Sequence, residues 1–408
     1  MKNRNRWLIL AACIIINLCL GAGYAWSVFQ GPLVDLFGFS AAKATLAFSI
    51  SFGMGPVGMI VFGPIQDRRG PRLITFVGGL LFGLGFILTS FMKSLTWLYI
   101  SYGLISGIGI GMAYGATIAT TVTLFPDKRG LASGLNAAGF GSGAVVFAPI
   151  AASLIQSYGV LSAFRFLGIA ILIIICGCSL ILSVPKKDGG ERAISERDKR
   201  PSEMLRMPSF WVLWLIYIIG SISGMMIIGH ASPISQDHLG FTLALATAIV
   251  SIVSLSNTLG RIFWGSISDR FDRYAVVSMM FVVSIIGLLI MFAHIHPYLS
   301  VVGVILIALC YGGFLGIFPG ITVENFGEAF NGTNYGFMFS ACGIAAAVGP
   351  VLAASVKEAN NGDYSTAFLV AAGLNIIGLV LMMMFRKKHR KMHKKSLLCG
   401  RLFCYLSP

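Results

Sequence analysis

Residues 63–72 read Gly-Pro-Ile-Gln-Asp-Arg-Arg-Gly-Pro-Arg, and residues 265–273 read Gly-Ser-Ile-Ser-Asp-Arg-Phe-Asp-Arg. Both follow a long apolar run. Both open on glycine, place aspartate four residues later and follow it with arginine. Gly63 and Gly265 are 202 residues apart, and so are Asp67 and Asp269. Two copies at one offset mark an internal duplication rather than two ordinary charged loops. A further pair agrees with it: GLNAAGFGSGAVVFAP at 134–149 aligns with YGFMFSACGIAAAVGP at 335–350, setting Pro149 opposite Pro350.

The composition says what is duplicated. The chain of 408 residues is 56% hydrophobic and 11% charged, with mean hydropathy +0.84. A soluble domain carries about 25% charge, so this is a polytopic membrane protein. Its 49 glycines suit close helix packing in lipid. Apolar runs long enough to cross a bilayer predict twelve spans, at approximately 7–31, 41–65, 73–92, 95–120, 131–156, 160–184, 210–234, 242–267, 275–294, 299–322, 331–356 and 365–385. The longest polar stretch separates six from six. The predicted organisation is a six-helix bundle over 1–185, a linker over 186–206, a second six-helix bundle over 207–387 and a basic tail over 388–408. The first run is too long for a signal peptide's apolar region and ends without a small-residue cleavage site, so it reads as the first span.

The net charge of +15 is distributed by topology. Twenty-five of the 30 basic residues fall in segments predicted to lie on one side; the others are Lys43, Lys93, Arg165, Arg261 and Lys357. That asymmetry predicts both termini in the cytoplasm. It is spread over short loops, which points to anionic membrane lipid and away from nucleic acid. The eight cysteines lie in predicted spans or in the tail, so neither a disulfide framework nor a metal site is implied.

Arg261 is the permanently charged side chain set deep in a span. It precedes Asp269 by eight residues. At ~1.5 Å per residue that is about 12 Å inside a core ~30 Å thick. An arginine costs about 3 kcal/mol at the centre of a span and does not shed its proton. Asn257 lies one turn away and Ser254 continues the stripe. No carboxylate occurs at similar depth in the sequence, so the expected partner is a substrate anion.

Here the motifs resemble a known family. Gly63, Asp67, Arg68, Gly70 and Arg72 match the signature loop of the major facilitator superfamily, and Gly265, Asp269, Arg270 and Arg273 match its weaker second copy. Asn257-x-x-Gly260-Arg261-x-x-x-Gly265 resembles the eighth-helix motif of monocarboxylate transporters and of the oxalate/formate antiporter family. Gly23-Tyr24-Ala25-Trp26-Ser27-Val28-Phe29 resembles the first helix of the latter. The resemblance implies an all-α membrane fold of twelve helices in two six-helix pseudo-repeats, with the signature residues governing conformational change. It implies that Arg261 pairs with a substrate carboxylate and that Tyr24 and Gln30 face the cavity. A guanidinium fork suits that partner.

Around Arg261 and Asn257, Tyr24, Gln30 and Tyr114 are expected to complete the substrate site, with Tyr311, Phe314 and Phe339 from the second half. Trp26 reads as an interfacial anchor. His230, the histidine within a predicted span, is the proton-coupling candidate. The oxalate/formate pattern carries a lysine in the eleventh span, and 331–356 has neither lysine nor arginine. A dianion facing one cation is poorly neutralised, which favours a monoanion.

There is no nucleotide-binding loop and no hydrolase motif, so no cofactor and no enzymatic activity are expected. The reading is a monomeric secondary transporter in a bacterial cytoplasmic membrane that carries a small monocarboxylate (lactate, pyruvate or formate). Protons or a counter-anion would be coupled to it. An oxalate/formate-type exchanger is the alternative. An exporter of unrelated molecules would place an acid in the cavity, a channel would use rings of basic residues, and a sensor of the same fold would need a signalling extension.

Overall fold

The computed structural model describes residues 3–39, 41–183 and 198–406. In chain order the helices are α1 (Asn3–Leu20), α2 (Trp26–Phe37), α3 (Ala41–Arg69), α4 (Pro71–Thr89), α5 (Leu95–Leu98), α6 (Ser106–Leu124), α7 (Arg129–Tyr158), α8 (Val160–Ser179) and α9 (Pro201–Met204). They continue with α10 (Pro208–Pro233), α11 (Leu243–Arg270), α12 (Arg273–Ala293), α13 (Pro297–Phe326), α14 (Asn331–Ala359) and α15 (Ser365–Leu406). No strand occurs among the described residues. Among the described residues, eleven helical stretches are long and apolar enough to cross a membrane. α11 is a further long helix, which carries Asn257, Arg261 and several serines within its apolar run. The fold is the twelve-helix arrangement.

The first predicted span is two helices. A 3-10 turn, Gly21–Ala25, joins α1 to α2. It forms where the chain meets α7: a Cβ on Gly21 would lie 2.1 Å from the Phe140 carbonyl oxygen, so only glycine fits. Tyr24 sits on this turn. Trp26 follows it and is buried 4.7 Å from the Tyr102 ring, not at an interface. The fourth span likewise has a π-helical stretch, Tyr99–Ile105, between α5 and α6. The last helix does not stop at 385 but runs into the basic tail as far as Leu406. Most of the predicted linker, through residue 197, lies outside the described residues.

The helices of the first six spans pack chiefly on each other, as do those of the last six. Contacts between the two sets run mainly along two crossings, α3 with α14 and α11 with α7. Both are glycine seams. A Cβ on Gly63 would lie 2.7 Å from Thr333 Cα, and one on Gly265 would lie 2.3 Å from the Gly130 carbonyl oxygen. Along these seams Gly130 and Gly134 correspond to Gly332 and Gly336. The structural offset is thus 202, one more than the alignment of Pro149 with Pro350.

Candidate functional site

The aspartates of the two signature loops are helix caps that join the halves. The Asp67 carboxylate accepts from Gly332 N at 2.9 Å, Thr333 N at 3.2 Å and the Thr333 hydroxyl at 2.8 Å, at the start of α14. The Asp269 carboxylate accepts from Gly130 N and Leu131 N, each at 2.7 Å, at the start of α7. Each carboxylate meets unpaired N–H groups at the positive end of a helix dipole. Arg273 holds Asp269 at 3.4 Å and Glu324 at 3.3 Å. Gly70, at φ +86°, ends α3 and turns the chain into Pro71 at the head of α4. Arg68, Arg72 and Arg270 are exposed. An Arg129–Glu328 ion pair and a 2.6 Å bond from the Ser133 hydroxyl to the Gly316 carbonyl close the same end of the molecule.

Further along the α7–α11 seam lies Arg261, 3% exposed. Its Nη2 donates to Asn257 Oδ1 at 2.9 Å, and its Nη1 donates to the Ala137 carbonyl oxygen on α7. Its Nε and the Asn257 Nδ2 form no hydrogen bond among the described residues. Gly134 and Gly141 give this arrangement its room. A Cβ on Gly134 would lie 2.3 Å from the Arg261 carbonyl oxygen, and one on Gly141 would lie 3.2 Å from the guanidinium carbon. The Ala137 carbonyl comes from a supported stretch of helix, since the neighbouring Asn136 carboxamide lies 2.6 Å from Asn17 Nδ2, which also donates to Thr117 Oγ1 at 2.8 Å.

Aromatic side chains of both halves surround this charge. Tyr24, Tyr114, Tyr311 and Cys342 all lie within electrostatic reach of Arg261, and the Tyr24 hydroxyl adjoins the guanidinium. The Tyr24 ring meets Phe52 at 4.8 Å and Phe140 at 5.1 Å. Tyr114 meets Phe140 at 5.3 Å and Phe339 at 5.4 Å. The Tyr311 hydroxyl lies 3.5 Å from Cys342 Sγ. A cation lined by phenols and ring faces is suited to an anion with an apolar flank.

Tyr24, Tyr114, Asn257, Arg261, Tyr311 and Phe339 are therefore brought together. Phe314 is not. It is fully buried within the second half between Phe281 and Phe318, because Gly220 on α10 leaves its ring the space. Gln30 is half-buried on α2. Ser254 is exposed and bonds its own helix, at Val250 O. His230 lies at a kink in α10 and shares no partner with Arg261. One ring nitrogen meets the Tyr364 hydroxyl at 3.0 Å and the other meets the Pro350 carbonyl oxygen at 3.0 Å. A carbonyl only accepts, so that nitrogen carries the proton.

Phe52, Phe140, Cys342, the Ala137 carbonyl and Tyr335, whose ring lies 5.8 Å from that of Phe339, escape the sequence reading. Phenylalanines in lipid-embedded helices carry no distinguishing signal, and a backbone carbonyl carries none at all. Gly134 and Gly141, two turns apart on one face of α7, were the visible trace.

Comparison with known proteins places this geometry. The sequence profile of the Major Facilitator Superfamily matches residues 10–350 and 218–398. The oxalate:formate antiporter of Oxalobacter formigenes is 33% identical over 388 residues, covering 92% of this chain and 90% of that one. Monocarboxylate transporter 12 of Mus musculus is 23% identical over 418 residues, covering 92% and 84%. The crystal structure of FucP, a transporter of the same superfamily in the outward conformation, aligns with TM-score 0.75 at 16% identity, covering 93% of this chain and 98% of that one.

Proposed function

The chain belongs to the major facilitator superfamily, and from that premise we propose that it carries a small organic monocarboxylate across the membrane by alternating access, with Arg261 as the cation that binds the carboxylate. One observation supports this reading above the others. Arg261 is buried among aromatic rings, its partners among the described residues are neutral oxygens of Asn257, Ala137 and the adjoining Tyr24, and its Nε makes no hydrogen bond among them. A carboxylate would supply the charge those neutral acceptors lack and would bind the fork through two parallel bonds. Asn257 orients the guanidinium, and Tyr24 and Tyr114 complete the wall. The cap bonds of Asp67 and Asp269 hold one end shut. They would break when the carrier opens to that side, the cytoplasm in this reading, with both termini there and the chain in a bacterial cell membrane.

A single cation favours monoanions over oxalate. Uptake of an anion against a negative interior is opposed by about 2.3 kcal/mol per charge per 100 mV, so a proton or a counter-anion must move with it. His230 is the candidate proton carrier. The second reading, anion exchange, is favoured by the hydrogen bonds that occupy both His230 nitrogens and by the similarity to an antiporter.

The test is uptake into proteoliposomes with a panel of short carboxylates, with and without preloaded anion, an inward proton gradient and a protonophore. Carriage of a monocarboxylate that excess oxalate inhibits weakly is the expected result. Oxalate competing best of the panel overturns the monoanion preference. Uptake that survives Arg261→Ala overturns the role of the arginine. Stimulation by preloading alone leaves exchange as the coupling mode.

A further inference from the structure

Three fully buried polar side chains meet where α1 packs on α6 and α7. They are Asn17 on α1, Thr117 on α6 and Asn136 on α7. Asn17 Nδ2 donates to Thr117 Oγ1 at 2.8 Å and to the Cys13 carbonyl oxygen at 2.9 Å, and it lies 2.6 Å from the Asn136 carboxamide. The Thr117 hydroxyl donates in turn to the Tyr114 carbonyl oxygen at 2.9 Å. Asn17 Oδ1 accepts no hydrogen bond among the described residues. Such groups are expensive inside a lipid-embedded bundle and call for a reason.

Glue between helices is the ordinary one. The second half shows that this crossing does not need it. In the register that sets Gly115 against Met59 and Gly316 against Arg261, Thr117 corresponds to Phe318, and Asn136 corresponds to Met338 at the seam offset. Both counterparts are apolar and fully buried, and Phe318 stacks on Tyr217 of α10 at 4.0 Å. The fold therefore fills the same positions without amides. What sets the first half apart is that all three helices deliver a group to Arg261. α1 leads into the turn that carries Tyr24, and α6 carries Tyr114 one turn before Thr117. α7 carries Ala137, next to Asn136, whose carbonyl oxygen accepts from Arg261 Nη1. Hydrogen bonds are directional and fix the rotation and height of a helix, where methyl contacts are interchangeable.

We propose that Asn17, Thr117 and Asn136 are positioning residues that hold the Ala137 carbonyl, Tyr114 and Tyr24 in register around the Arg261 guanidinium. They touch no substrate and act through the groups they hold, chiefly the Ala137 carbonyl. The consequence for transport rests on the reading of Arg261 as the carboxylate's cation.

The triple variant Asn17→Leu/Thr117→Val/Asn136→Leu keeps the shapes and removes every side-chain bond of the cluster. Its unfolding temperature in detergent should equal or exceed that of wild type, because apolar side chains of similar volume replace buried polar ones at no net cost. In proteoliposomes its KM for lactate should rise about tenfold, the worth of one bond to a charged group, with kcat within about threefold. In an Arg261→Lys background, where there is no fork to aim, the same substitutions should move KM by less than about twofold. An equal proportional loss in both backgrounds overturns the inference, as does a lowered unfolding temperature with KM unchanged, which is the behaviour of glue alone. Nitrogen NMR of arginine-labelled protein reads the same geometry without transport. The Arg261 signals are those that Arg261→Lys removes, and the triple variant should shift its Nη resonances. Unshifted signals overturn the inference whatever the carrier transports. If wild type carries no carboxylate, the Arg261 reading fails, and the NMR comparison alone decides whether the cluster positions the arginine. Should the triple variant not reach the membrane, Asn17→Leu decides by the same measurements.

Discussion

The seam between α11 and α7 and the seam between α3 and α14 are the same contact built twice. Gly134 faces the Arg261 backbone as Gly336 faces Met59 and Ile60, and Gly141 faces Thr258 as Gly343 faces Pro56. On the opposite flank Gly312 touches the Asn257 carbonyl as Gly111 touches that of Gly55. At the shared offset, Asn257 and Arg261 stand where Gly55 and Met59 stand. Met59 is 2% exposed and Arg261 is 3% exposed. Methionine and arginine are both long and unbranched, so the two seams accept them alike. Backbone approach belongs to both copies, whereas charge belongs to one. Duplication supplied a symmetric frame for the two crossings, and the departure from symmetry at two side chains is what makes one of them the binding site in the proposed function.

The largest effect should come from making the copies alike. Arg261→Met is expected to insert and fold while transport of any carboxylate falls at least about a hundredfold, since a carboxylate left without its buried cation loses several kcal/mol. Arg261→Lys keeps the charge but not the fork, and should lose about tenfold or more. Normal uptake by the methionine variant would mean that the two seams do not differ in function.

The caps test the other half of the comparison. Asp67→Asn and Asp269→Asn each replace charge-assisted bonds at a helix start with weaker ones, and each should lower stability in detergent by about 1–2 kcal/mol. Asp67 also accepts from the Thr333 hydroxyl, so its variant should lie at the larger end. Thermal unfolding of the pair checks this; a change in one alone would show that the crossings do not bear equal load.

Asn257→Ala removes the acceptor of Arg261 Nη2 and should slow uptake about three- to tenfold. Its counterpart Gly55→Ala meets no atom within 4 Å and should leave uptake unchanged. A slow Gly55→Ala carrier would place part of the site on the α3 seam. His230 lies off both seams. In the exchange reading His230→Ala costs stability through its bonds to Tyr364 and Pro350, with uptake within about threefold of wild type; abolished proton-stimulated uptake would restore the symport reading.

The smallest effect concerns a turn that the two copies solve differently. Gly70 enters α4 through a left-handed backbone, while Asp272, at the same offset, caps α12 by accepting from Tyr274 N at 3.0 Å and pairs with Arg386 at 2.9 Å. Burial opposes ionisation of Asp272, but Arg386 and the two backbone N–H groups outweigh it, and its pKa is lowered. A lowered folded pKa means that the stabilisation is complete above the usual carboxylate value near 3.9 and is lost as pH falls through the folded value. Asp272→Ala should cost about 1 kcal/mol at neutral pH, a difference that shrinks on acidification.

The sequence by itself determined the helical membrane class, the duplication, the span boundaries to within about two turns except at the last helix, which runs on to Leu406, and Arg261 as the charge set within a span. Apolar length, charge asymmetry and fixed spacing along the chain are local properties, and they survive without knowledge of neighbours. It also pointed to Tyr24, Tyr114 and Asn257 beside that arginine. Only the tertiary structure decided that Phe314 turns into the second half's interior while Phe339 reaches Tyr114, because neighbouring glycines on other helices make the room. It alone split the first span at Gly21, buried Trp26 against Tyr102, gave His230 two fixed partners and brought Ala137, Phe140 and Tyr335 to the site. Which face of a lipid-embedded helix meets which partner is set by close packing across the seams, and in an almost uniformly apolar span that choice leaves little periodic mark in the chain.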